Sequence, residues 1–159
     1  PGGIVGGIEW GFAVDSDQAY VAIAGAWELG PGEAGSISAI NLNTGKIVWK
    51  TGPSQTVCDG IEKCNTGQLA AVTALDGVVF SGSLDGHLRA YDSETGEIMW
   101  EYNTLNTYST VNGVTAIGGS INGPGPAIAQ GHVYVNSGYG MWNMWIPGNA
   151  LIALSVNGE

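Results

Sequence analysis

The stretch Ala39–Trp49, AINLNTGKIVW, returns fifty-one residues later at Ala90–Trp100 as AYDSETGEIMW. A third version, ALSVNGE, starts at Ala153 and stops soon after its turn. The shared pattern is Ala-x-(Asn/Asp)-x-x-Thr-Gly-x-x-x-Trp. Its Thr-Gly pair marks a tight turn, because Gly45 and Gly96 can enter positive φ without a Cβ clash. Apolar and β-branched residues flank the turn on both sides. Each copy therefore reads as strand, turn and strand, with Trp49 or Trp100 on the second strand.

Another strand pair precedes each copy. The expected pairs are Trp10–Val14 with Ala19–Ala24, Leu69–Ala74 with Val78–Ser81, and Ala127–Ala129 with His132–Asn136. The turns between them are DSDQ, Asp76-Gly77 and Gln130-Gly131. Four antiparallel strands repeating at a period near 50 are the pattern of a β-propeller blade. The expected fold is all-β, one partial propeller domain over residues 1–159, with blades at 1–51 and 52–103 and an incomplete blade at 104–159. In the last unit Asn149–Ser155 supplies a third strand and no room remains for a fourth. Three blades do not close a ring. The chain is therefore expected to be the C-terminal part of a larger, eight-bladed propeller, with closure by oligomerisation as the alternative.

A single blade cannot bury both of its faces, so neighbours must stack. A Trp at a fixed place on the fourth strand can pack on the small Ala of an adjacent blade, with its indole N–H aimed at a backbone carbonyl. Ala39, Gly45, Trp49, Ala90, Gly96 and Trp100 are the docking candidates. In the plainer reading the two tryptophans are ordinary core residues.

Composition narrows the function classes. The chain has 159 residues, 44% of them hydrophobic, with 27 glycines, six Trp and six Tyr. The formal net charge is −10, and the four basic residues are Lys46, Lys50, Lys63 and Arg89. No basic patch can form, which excludes a nucleic-acid partner. No apolar run reaches the ~20 residues of a membrane span. The first residues, PGGIVGG, lack the basic and apolar regions of a leader, so a leader was removed or more chain precedes them. Cys58 and Cys64 lie in CDGIEKC, without metal-ligand spacing. A local disulfide is the preferred reading and two thiols the alternative. A disulfide would place the protein outside the cytosol.

Antiparallel order sends the short turns to one face and the long connections to the other. The long ones are 26–35, 51–67, 103–123 and 139–148. Long loops on one face of a compact fold point to function there. The last of them, with Met141, Trp142, Met144 and Trp145, reads as an aromatic rim over a pocket, or else as simple loop packing. The first strand of each blade begins near the axis on this same face. Glu9 and Trp10, Thr66 to Gln68, and Ser120 to Asn122 thus converge, as a flat aromatic and polar groups suited to a planar polar ligand. No Ser-His-Asp arrangement is visible. His87 and His132 read as surface or strand residues, and Asp76, Asp85 and Asp92 as turn residues.

The repeated phrase resembles the tryptophan-docking motif of the quinoproteins, eight-bladed propellers that bind pyrroloquinoline quinone (PQQ). GVVFSGSLDGHLRAYDSETGEIMWEYNT is similar to a late blade of the PQQ alcohol dehydrogenases. GGIEWG, GGSINGPGPAIAQGHVYVNSGYG and PGNALIAL resemble the branch that oxidises polyvinyl alcohol. The resemblance implies PQQ and a calcium ion on the axis, a periplasmic or secreted location, and electrons passed to cytochrome c. It implies oxidation of a polymeric or secondary alcohol, with the remaining blades of the same propeller as partners. The cofactor-facing candidates it implies are Glu9, Trp10, Gln68, Ser120 and Asn122. Glu9-Trp10 stands where related enzymes carry Asn-Trp, a departure that adds charge. The family's catalytic base, adjacent-cysteine ring and most calcium ligands belong to earlier blades. No catalytic or metal residue is therefore assigned here, and the chain alone is expected to be inactive. The competing reading is a non-catalytic propeller of the same superfamily, a periplasmic scaffold or binding module. A kelch-type propeller shares the period but calls for Gly-Gly at the end of the second strand, where this chain has single glycines at Gly25, Gly82 and Gly138.

Overall fold

The computed structural model describes residues 6–25, 34–52, 56–140 and 143–156. Among them the regular structure is β-strand, with no α-helix. The first blade is β1 (Ala13–Val14), β2 (Gln18–Ile23), β3 (Ser36–Asn41) and β4 (Ile47–Thr51), hydrogen-bonded in that order. The second repeats it with β5 (Thr73–Leu75), β6 (Val78–Gly82), β7 (His87–Asp92) and β8 (Ile98–Asn103). A separate hairpin follows, β9 (Thr107–Ser109) with β10 (Thr115–Ile117). The third sheet holds β11 (Ala127–Ala129), β12 (His132–Ser137) and β13 (Ala150–Ser155). All pairs are antiparallel. This is a propeller architecture, with two four-stranded blades and a three-stranded third among the described residues.

The repeated phrase makes the same local structure twice. Asn41 Oδ1 accepts from the Asn43 and Thr44 amides and the Thr44 hydroxyl, and Asp92 Oδ1 accepts the same three bonds from Glu94 and Thr95. The bonds from Thr95 and Glu94 hold the Asp92 carboxyl below the ordinary carboxylate range. The chain then reverses through Gly45 at φ 66° and Gly96 at φ 75°. Register shifts fall at equivalent places, Ala39/Ile40 and Ala90/Tyr91.

Between the first two blades lies a core of Tyr20, Ile37, Ala39, Trp49, Val79 and Tyr91. Trp49 lies opposite Ala39 of its own blade, and its Nε1 donates to the Ser93 carbonyl of the next blade at 2.9 Å. Its ring lies over Gly96, where an added Cβ would stand 2.4 Å from a ring carbon. Of the docking candidates on the second blade, Gly96 is thus the one that lies directly under the ring. Trp100 is differently placed. It is 40% exposed and stacks on Tyr102, with centroids 6.0 Å apart. Both line a groove of about 580 Å³ beside β11–β13, shared with Phe80, Val133 and Leu154.

Two first strands are shorter than expected. They begin at Ala13 and Thr73 rather than at Trp10 and Leu69. The residues before β5 turn their amides to the neighbouring blades: Val72 donates to Gly11 and Ala71 to Gly123. The stretch 103–123, expected as one of the long loops of the functional face, carries the β9–β10 hairpin. The loop 139–147 has a closed neck. Gly148 donates to the Gly138 carbonyl at 3.1 Å, and a Cβ on Gly138 would lie 2.1 Å from the Gly148 Cα.

Candidate functional site

The inner segments that lead into β1, β5 and β11 share one hydrogen-bond register. Ala24 donates to Gly7, Leu84 to Gly67 and Gly138 to Ser120, each a bond to the end of the same blade's second strand or the residues just after it. Gln68 likewise donates to Ile23, and Ile121 to Ser83, across to the previous blade. These bonds make Gly7, Gly67 and Ser120 equivalent. Ile8, Gln68 and Ile121 follow, and then Glu9, Leu69 and Asn122.

The five candidates therefore sit on three neighbouring segments but in different settings. Glu9 and Trp10 are exposed, Trp10 by 50%. Gln68 is buried with its amide engaged: Oε1 accepts from Ser81 at 2.7 Å, and Nε2 donates to Tyr91 at 3.2 Å. Burial pushes that tyrosine up to about 12. Ser120 is fully buried, donates to the Leu84 carbonyl and accepts from the Ile146 amide at 3.1 Å. Asn122 is half-buried, and its Oδ1 is shut off from solvent with no hydrogen-bond partner among the described residues. An amide oxygen left so is costly unless another group supplies a donor.

The loops cover this ground closely. Trp145, 6% exposed, packs with Ala24, Leu69 and Leu84, so it fills space over the second blade rather than rimming an opening. Met144 packs against the same cluster, and Met141 and Trp142 lie outside the described residues. Cys58 and Cys64 are bonded, with Cα atoms 5.3 Å apart. The loop they close reaches the third blade, where Lys63 Nζ donates to Asn143 Oδ1 at 3.1 Å.

Sequence reading missed a buried ionic ladder. Asp85, taken as a turn residue, is 1% exposed. It accepts from Arg89 Nη2 at 2.9 Å and from the His87 amide at 2.9 Å. Arg89 Nε also meets Glu101 at 2.5 Å, its cross-strand partner. Burial alone would raise the Asp85 carboxyl; the His87 bond and the Arg89 charge outweigh burial and hold it below the usual range. The signal was present in HLRAY, because His87, Arg89 and Tyr91 share one face of a strand. Among the described residues no three His, Cys, Asp or Glu side chains converge as a metal site would require.

Residues 4–141 match the PQQ_2 family model, described as outer membrane protein assembly factor BamB. The whole chain is 40% identical to a polyvinylalcohol dehydrogenase of a Pseudomonas species. It is 34% identical over 99% of its length to that of Sphingopyxis sp. strain 113P3. The chain spans 26% of the length of each of these curated relatives. The crystal structure of quinohemoprotein alcohol dehydrogenase from Comamonas testosteroni superposes with a TM-score of 0.63 at 25% identity, over 96% of this chain and 20% of that one. With the repeated blade, the turn geometry and the family match in agreement, the chain belongs to the PQQ-type propeller family, the superfamily of the quinoprotein alcohol dehydrogenases.

Proposed function

We propose that the chain forms part of a PQQ-dependent alcohol dehydrogenase acting on a polymeric or secondary alcohol such as polyvinyl alcohol. The observation that carries this reading is the 40% identity to a polyvinylalcohol dehydrogenase across the entire chain, loops included. When bound, PQQ supplies a quinone that takes two electrons from the alcohol. The residues present fit a planar polar group at the inner segments. Trp10 offers an exposed ring face, and Asn122 offers a buried acceptor without a donor. Gln68 and Ser120 hold the inner segments to their neighbours through bonds already made. Glu9 adds a carboxylate at the rim, which disfavours an anionic group directly beside it. The base and most ligands of the implied calcium are assigned to other parts of the protein. The chain alone is therefore expected to be inactive. Cytochrome c as electron acceptor and a periplasmic or secreted location complete the reading, and the disulfide supports an oxidising compartment.

A second reading is favoured by the description of the family model, under which the chain would be part of a non-catalytic periplasmic scaffold. The two separate cleanly when the full-length protein is reconstituted with PQQ and calcium. Alcohol-dependent dye reduction is expected, with Asn122→Ala weakening PQQ binding roughly tenfold. Absence of dye reduction with polyvinyl alcohol and with secondary alcohols would overturn the dehydrogenase reading.

A further inference from the structure

All but one of the chain's acidic residues, and all four basic ones, lie at or before Glu101; the exception is Glu159. From Tyr102 to Gly158 there is no Asp, Glu, Lys or Arg. In soluble domains about a quarter of residues carry charge. The third sheet, the β9–β10 hairpin and the 143–149 loop thus contribute no charged side chain of their own, and among the described residues the one cation bonded to them, Lys63, sits at Asn143 of the loop and not on the hairpin.

The hairpin shows what replaces charge. Ala116 and Tyr108 pair and turn inward, packing against the core between the second and third blades. Thr107 pairs with Ile117, and Ser109 with Thr115, and all four are exposed. Among the described residues none of these three hydroxyls is engaged in an intramolecular bond. The outward face is therefore three available hydroxyls and an aliphatic side chain. Its base is rigid. Asn149 Oδ1 accepts from the Ile117 amide at 2.8 Å, and the Asn149 amide donates back to the Ile117 carbonyl at 2.7 Å. Gly118 and Gly119 then carry the chain from Ile117 directly to Ser120, and Asn122 lies two residues further on.

Resting on the dehydrogenase reading above, we propose that this face is the docking track for a neutral polyol with an aliphatic backbone, leading it toward the inner segment at Asn122. A neutral chain cannot offset the desolvation of surface charges, so a surface without them suits it. Alternating hydroxyl and hydrocarbon on the polymer match the mixed hydroxyl and aliphatic face of the hairpin. A polysaccharide fits less well, because the one aromatic ring of the hairpin, Tyr108, is turned inward.

The test uses the full-length protein without PQQ, so that binding is read independently of turnover. Polyvinyl alcohol, dextran and polyacrylate are titrated calorimetrically against wild type, the charged variant Thr115→Asp, and the triple variant Thr107→Val, Ser109→Ala, Thr115→Val. Polyvinyl alcohol is expected to bind wild type, and both variants are expected to bind it at least about tenfold more weakly. In the reconstituted enzyme KM for the polymer should rise with kcat for a short secondary alcohol unchanged. Polymer binding that persists when no alcohol is oxidised would leave the track standing and remove only the enzyme reading. Three results would overturn the proposal: no binding of polyvinyl alcohol by the cofactor-free protein, variant affinities within twofold of wild type, or equal binding of dextran or polyacrylate.

Discussion

Gly45 and Gly96 occupy the same place in the repeated phrase, and both have positive φ. Their surroundings differ. A Cβ on Gly45 would meet nothing within 4 Å, whereas one on Gly96 would strike the Trp49 ring at 2.4 Å and approach Thr51 Oγ1 at 2.9 Å. Gly45→Ala is therefore expected to cost only the backbone strain, about 1 kcal/mol. Gly96→Ala adds overpacking against Trp49, for about 2–4 kcal/mol in all. Chemical denaturation of the two variants measures the difference, and equal losses would show that the Trp49–Gly96 contact contributes little. The turn itself was legible in the sequence, because Asn41 and Asp92 act on amides two and three residues away. The difference between the glycines was not, because it depends on a ring forty-seven residues distant in the chain. Asn122 shows the same limit: its residue type could be read, but its unmet oxygen is a property of the folded surroundings.

At the scale of the element, alternation within a strand was readable and what it faced was not. The β7 ladder of Asp85, His87 and Arg89 with Glu101 was missed because charged residues suggest solvent until tertiary packing covers them. It carries a pH prediction. The folded-state Asp85 carboxyl titrates below its ordinary value of 3.8. Its stabilising effect is complete above about pH 4 and is lost as pH falls through the folded value. Asp85→Asn is expected to lower stability at pH 7 by about 3 kcal/mol, because it leaves Arg89 short of a buried partner. The gap from wild type should close on acidification below pH 4, as followed by thermal unfolding. A gap that persists there would assign the loss to packing and not to charge. The β9–β10 hairpin was missed for another reason. Strands of three residues in TLNTYSTVNGVTAIGG are too short for a two-residue alternation to stand out.

At the scale of the molecule, the blade repeat was the readable part, because a period near 50 with a fixed turn survives any change of loop. The repeat also accounts for the apolar side chains left at one end. Apart from Trp10, which is proposed to face the cofactor, Ile8, Phe12 and Val14 of the first inner segment and β1 are each more than half exposed. Such a row on a free-standing protein invites association. Residues 1–159 produced alone are expected to self-associate at micromolar concentration, with the full-length protein monodisperse by light scattering. A stable monomer of the short chain would show that this row does not seek a neighbouring sheet.

The neck at Gly138 and Gly148 has a different consequence. Two strands enter it at a fixed spacing, and the two glycines leave no volume for anything larger. The stem is thus dimensionally locked, and beyond it the chain returns to the framework: Trp145 inserts beside Leu69 and Leu84, and Ile146 exchanges bonds with Ser120. The third blade therefore works as a clasp that fastens its neighbour from above, and a change in the length of this loop would be felt in the second blade as well as the third.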